Sequence, residues 1–248
     1  MNFSWLLPEG KGIPVLMYHK VWPGCNDDLT ITPEKLREQW SYLKQEGYHP
    51  LSLTDYLEIA HGMKAAPARA MLITFDDGYQ NNQVYVYPLL RELGWQATFF
   101  IIGNTLDETH KNESGPEQKM TWGELRMLDP AVVQLGMHGY AHENMGSAGP
   151  DKMEAELGAM VNAFKSSGLP FHMVFAYPYG ARPGSKVMLA TLKRQMAEMG
   201  ITAAFRIGNR VSNVPAEDIF EVKRIDIKGT DTMNAFKIKL KKGKLKPF

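Results

Sequence analysis

Two adjacent carboxylates, Asp76 and Asp77, close the apolar run Ala70–Phe75 and are followed by Gly78. Neighbouring carboxylates repel, and burying both without a cation is costly. A bound metal resolves the conflict if one carboxylate ligates and the other stays near as a base. A solvated turn is the competing reading, since Asp-Gly is a common turn pair. Further along, His138 and His142 flank Gly139-Tyr140-Ala141, so a single turn brings both imidazoles to one ion. Two neutral imidazoles and one carboxylate form a three-ligand site with positions left for water and substrate, as in catalytic zinc. The competing reading is a pair of surface histidines near a glycine. Two further polar clusters, Tyr18-His19 and Tyr177-Pro178-Tyr179-Gly180, also end apolar runs. His49, His61, His110 and His172 have no such setting and read as structural or surface residues.

These clusters need a scaffold, and the chain alternates apolar runs with amphipathic segments. Strands are expected at Ile13–Val21, Tyr48–Leu53, Ala70–Phe75, Ala97–Ile102, Val132–Met137, Met173–Tyr177, Ala203–Ile207 and Val222–Ile227. Helices are expected from the Thr32 cap and Pro33 to Gly47, from a Thr54 cap to Ala60, and from Gln80 to Leu93 before Gly94. Others follow from Thr121 to Leu128, Pro150 to Ser167 and Ser185 to Met199, with a last helical or mixed segment at Thr230–Leu240. The polar stretch Gly103–Met120 reads as a surface loop. Strand-then-helix repetition implies a parallel sheet with helices outside it. At 248 residues it favours an α/β fold of one domain, a closed and distorted (β/α) barrel of about seven units, over an open doubly wound sheet. No Gly-x-Gly-x-x-Gly follows the first strand, so the dinucleotide-binding signature is missing. Active sites of parallel α/β folds lie at the carboxyl ends of strands, where all four polar clusters fall.

Apolar residues make up 44% and charged residues 22%, which excludes a disordered chain. The net charge of +1 gives no bulk attraction to nucleic acid. The single cysteine, Cys25, excludes an internal disulfide framework and a cysteine-rich metal site. No run approaches the ~20 apolar residues of a membrane span. Trp5-Leu6-Leu7, followed by Pro8-Glu9, is too short for a signal peptide, so a cytoplasmic protein is expected. The basic C-terminal segment, about 236–248, sets Lys237, Lys239, Lys241, Lys242, Lys244 and Lys246 among Phe236, Ile238, Leu240 and Leu245. It reads as a solvated tail or as a peripheral contact with an anionic membrane surface, worth ~1 kcal/mol per lysine.

Thr74-Phe75-Asp76-Asp77-Gly78 followed by His138-x-x-x-His142 resembles the polysaccharide deacetylase family, carbohydrate esterase family 4. Phe175–Gly180 resembles its third motif, and Pro14-Val15-Leu16-Met17-Tyr18-His19 resembles the first segment of its permuted branch, which includes poly-N-acetylglucosamine deacetylases. The resemblance runs from about Ile13 to Ile227. It implies a distorted barrel, a divalent metal (usually zinc, with nickel or cobalt as alternatives) and removal of an N-acetyl group from an amino sugar. By position it implies Asp77, His138 and His142 as ligands, Asp76 as general base and His19 as general acid. It assigns Tyr179 to the substrate, through its backbone N–H and its ring. Two features depart from the pattern. Ala176 stands where the third motif carries an arginine, and no histidine follows His172. His19 answers the second gap. For the first we expect Arg224, with Arg206 as the weaker candidate. A non-catalytic carbohydrate-binding relative, an O-acetyl esterase and a deformylase of a lipid-linked sugar are the alternatives. Trp122, Phe205 and Tyr140 are candidate sugar-stacking rings.

Overall fold

A computed structural model describes residues 12–106 and 115–243. Trp5-Leu6-Leu7, His110, Lys244 and Lys246 lie outside the described residues. The strands are β1 (Val15–Tyr18), β2 (Lys20–Val21), β3 (Thr30–Ile31), β4 (His49–Pro50), β5 (Ala70–Phe75), β6 (Ala97–Ile101), β7 (Val133–Met137), β8 (Val174–Ala176), β9 (Ala203–Ile207) and β10 (Val222–Asp226). The helices are α1 (Pro33–Gln45), α2 (Leu53–Ala60), α3 (Tyr87–Leu93), α4 (Trp122–Arg126), α5 (Pro150–Ser167), α6 (Lys186–Glu198) and α7 (Met233–Lys242).

Seven strands run in the order β1-β10-β9-β8-β7-β6-β5, and a further pairing of β1 with β5 closes the ring. Each of these pairings is parallel. Strand β4 adds outside β5, and β2 pairs with β3 apart from the barrel. The expected (β/α) barrel is therefore the fold.

Side-chain parity explains the layers, because successive residues of a strand face opposite sides. In β5, Ala70 and Leu72 pack inside the barrel with Val15, Phe100, Val174, Phe205 and Val222. Met71, Ile73 and Phe75 face outward, where Leu36, Trp40 and Leu43 of α1 cover them. The same parity turns Thr74 and Asp76 toward the barrel axis. In β10 it does so for Arg224, between inward Val222 and outward Ile225.

Helix α2 adds Leu53, Tyr56 and Ile59 to the inner cluster. Its cap is Ser52 rather than the expected Thr54: the Ser52 hydroxyl accepts the Asp55 N–H at 3.0 Å. The expected helix from Gln80 is a π-helical turn, Asn82–Val86, that runs into α3. Two buried asparagines draw this segment toward β1 and β2: Asn82 Nδ2 donates to the His19 carbonyl at 2.8 Å, and Asn81 Oδ1 accepts the Val21 N–H at 2.9 Å. The stretch expected as a surface loop also departs from expectation. Residues 115–120 fold back on the Asp-Asp segment through Gln80 N–H to Gln118 O and Met120 N–H to Gly78 O, each 2.8 Å. Met120 is fully buried in consequence.

Candidate active site and metal centre

Asp76, Asp77, His138, Arg224 and His19 all fall at the carboxyl mouth of the barrel, on or just beyond β5, β7, β10 and β1. The Asp76 N–H bonds to the Tyr18 carbonyl at 2.9 Å, which sets His19 beside the carboxylate pair.

Asp77 Oδ1, His138 Nε2 and His142 Nε2 form a triangle. The separations are 3.3 Å from Asp77 to His138, 3.5 Å from Asp77 to His142, and 3.3 Å between the imidazoles. Ligand atoms ~2.1 Å from a tetrahedral ion sit about 3.4 Å apart, so this donor set fits a small cation. Two further observations support the fit. Asp77 Oδ1 is buried and accepts no hydrogen bond. His138 Nδ1 lies 2.9 Å from the Ala176 carbonyl, which can only accept, so Nδ1 carries the proton and Nε2 offers its lone pair to the centre.

The electrostatics make the same demand. Burial opposes charge on His138, but Asp76 and Asp77 overcome it and raise its pKa. Burial and then the His138 charge lower His142 to about 4. Burial would raise Asp77, yet His138 and Lys119 hold its carboxyl far below the usual range. The group thus competes for one positive charge at its centre.

Asp76 is held differently. Arg224 Nη1 and Nη2 donate to its two oxygens at 2.6 Å each, a bidentate pair. Arg224 is fully buried and Asp76 is 2% exposed, so this is no surface salt bridge. Arg224 also donates to Thr74 Oγ1 at 3.3 Å and lies over the Phe100 ring. Burial pushes the Asp76 pKa up, but the charges of Arg224 and His138 outweigh it and lower it. Arg206 pairs instead with Glu221 at 3.2 Å. Burial also lowers His19, against the pull of Asp76 and Asp77.

Left-handed backbone concentrates here. Of the five non-glycine residues with positive φ among the described residues, three are Asp77 (73°), His142 (57°) and Tyr179 (59°). Such conformations cost about 1–3 kcal/mol each and persist only where surroundings enforce them. Tyr179 is 64% exposed, with its ring centroid 4.4 Å from that of His142.

Of the other rings, Tyr140 is part of the histidine loop and is exposed. Phe205 does not reach the surface: it is fully buried in the barrel against Tyr56 and Phe100. Trp122 packs edge-on against Phe164 of α5. In the C-terminal segment, Lys239 is buried and bonded to Asp231, and Lys237 lies over the Tyr42 ring.

Two residues at the site escaped sequence reasoning. Lys119 sits 3.8 Å from Asp77 Oδ2 and over the Tyr79 ring, and nothing in its polar surroundings announces it. Glu156 touches the histidine loop from α5. Its signal was available, as an acid on the stripe Met153, Leu157, Met160 and Phe164.

The profile of the family described as polysaccharide deacetylase matches residues 63–204, more than half of the chain. The chain belongs to the polysaccharide deacetylase family. It is 33% identical over 138 residues to the poly-beta-1,6-N-acetyl-D-glucosamine N-deacetylase of Escherichia coli strain K12, a match spanning 52% of this chain and 20% of that enzyme. Among solved structures it resembles IcaB from Ammonifex degensii, with a TM-score of 0.76 at 21% identity, covering 94% of this chain and 97% of the other. It also resembles the Streptococcus pyogenes deacetylase PplD, with a TM-score of 0.74 at 20% identity over 88% and 93%. At those identities the two structures establish the fold that this deacetylase-family chain shares.

Proposed function

We propose that the chain removes an N-acetyl group from an amino sugar of a glycan or glycan precursor, with a divalent cation held by Asp77, His138 and His142. The observation that carries this reading is the triangle of donor atoms with Asp76 beside it, Asp76 Oδ2 being 3.7 Å from His138 Nε2. Two imidazoles and one carboxylate favour zinc, and nickel and cobalt suit the same donors. When bound, the ion supplies Lewis-acid chemistry: it lowers the pKa of water and polarises the acetyl carbonyl.

Asp76, kept ionised by Arg224, takes the proton from the attacking water. His19, just beyond the neighbouring strand β1, gives a proton to the departing amine nitrogen as the C–N bond breaks. The Tyr179 backbone N–H faces the developing oxyanion, and its exposed ring covers one side of the sugar. A non-catalytic carbohydrate-binding role drew its support from the missing third-motif arginine, and the Arg224–Asp76 pair removes that support.

The Escherichia coli relative makes β-1,6-linked N-acetylglucosamine the first substrate to test. O-deacetylation, or deformylation of a lipid-linked sugar, would use the same residues. No helix among the described residues is long and apolar enough to cross a membrane. A peripheral contact of the basic C-terminal segment with an anionic membrane surface would be made without Lys239, which is bonded to Asp231 within the fold.

The test compares wild type with Asp77→Ala for zinc, nickel and cobalt content and for acetate release from β-1,6-N-acetylglucosamine oligomers. Metal and acetate from wild type, and neither from the variant, is the expected result. Metal without acetate redirects the search to lipid-linked or nucleotide-linked sugars. No metal after reconstitution sinks the hydrolase reading and leaves the binding role.

A further inference from the structure

Glu156 lies on the buried stripe of α5 and is 6% exposed. A buried carboxylate among methionines and leucines is costly unless its oxygens are engaged. Its Oε1 accepts the N–H of Ala141 at 2.7 Å and the N–H of Glu143 at 3.3 Å. Those two residues flank His142. The other side of the loop is held as well: Gly139 O accepts the Gly103 N–H at 3.0 Å, and Tyr140 O accepts the Asn104 N–H at 2.8 Å. Gly139 is what lets the helix come so near, since a Cβ there would lie 2.7 Å from Glu156 Oε1.

We propose that Glu156 is a positioning residue that holds His142 in its left-handed conformation, through the backbone on both sides, and so completes the three-ligand centre. The proposal rests on the metal reading above. A histidine at φ 57° needs enforcement, because a left-handed conformation is strained for any residue with a Cβ. Hydrogen bonds to a charged acceptor are the strong kind, and one oxygen here gathers both flanking amides. Without that oxygen the loop is free to relax toward ordinary φ, and the His142 ring swings away from Asp77 and His138.

The test uses the full chain. Zinc dissociation constants, from competition with a chromogenic chelator, and metal-free unfolding temperatures are compared for wild type, E156Q, E156A and E156M. The glutamine amide oxygen still accepts both N–H groups, so E156Q is expected within about threefold of wild type. E156A and E156M are expected to bind zinc about 10- to 100-fold more weakly. Methionine keeps the length of the stem without an acceptor, and covers the case in which the alanine variant does not fold. Lowered unfolding temperatures of E156A and E156M with wild-type zinc affinity would mean a role in fold stability alone, and would overturn the proposal. Wild type that binds no zinc overturns the metal reading itself, and the positioning role with it.

Discussion

Arg224 and Asp76 meet across the strand that ends just before His19. Strand β1 lies between β10 and β5, so the ion pair spans 148 residues of sequence and yet only one strand of the barrel. The proposed base, the arginine paired with it and the proposed acid are therefore neighbours at one arc of the mouth. The three metal-ligand candidates close the adjacent arc.

Replacing Arg224 with methionine should raise the Asp76 pKa, because the largest charge opposing burial is lost and only the histidines still lower it. A base works ionised, so activity rises with pH through that pKa. The acid limb of kcat/KM should move to higher pH. An unmoved limb would disconnect Arg224 from the base. The pair also stabilises the fold above the unfolded carboxylate pKa, and that contribution fades as pH falls through the lowered folded value. Breaking it should cost about 3–5 kcal/mol in chemical denaturation at neutral pH.

His19→Gln should slow acetamide hydrolysis by about 10²- to 10⁴-fold, the usual worth of a general acid. The loss should shrink on 4-nitrophenyl acetate, whose leaving group departs without a proton. Equal losses on both substrates would reassign His19 to another role.

Tyr179→Asn should raise KM by about 2- to 10-fold with little change in kcat, the signature of a ring that binds ground and transition states alike. Asparagine tolerates the left-handed backbone at this position, so the loss reports on the ring. A fall in kcat at constant KM would place Tyr179 in the chemistry instead.

Trp40→Ala, far from the mouth, should destabilise by about 3–5 kcal/mol. Trp40 is fully buried between Phe75 and Trp95. The unfolding temperature should drop by about 6–20 °C in calorimetry. A drop of a degree or two would mean that α1 does not anchor the outer layer.

Much of this architecture was legible in the residues. Ala70–Phe75, Ala203–Ile207 and Pro150–Ser167 have the boundaries expected from their apolar runs and their capping residues. Parity along β5 carries inward Ala70 and Leu72 on to Asp76, so the direction of that carboxylate follows from strand geometry alone. Which arginine meets it does not, because Arg206 and Arg224 both lie on strands near the mouth, and only strand order and the inward seats of Phe205 and Val222 separate them. The π-helical turn was hidden because Asn81 and Asn82 bond to a segment 60 and 63 positions away. Lys119 was hidden for the same kind of reason, since its value comes from a fold-back that polar composition does not encode.

The seat of β1 between β10 and β5 also governs how the molecule can assemble. The strands β5 to β10 can pair in the order in which they are synthesised, whereas β1 gains its second neighbour only when β10 exists. Its contact with β10 joins Leu16 to Ile225, a closure of very long range. Such closures are entropically late and slow. A nascent chain stopped before β10 would carry Asp76 without its arginine, at the rim of an open sheet. The barrel's last seam is thus also the step that brings Arg224 to Asp76.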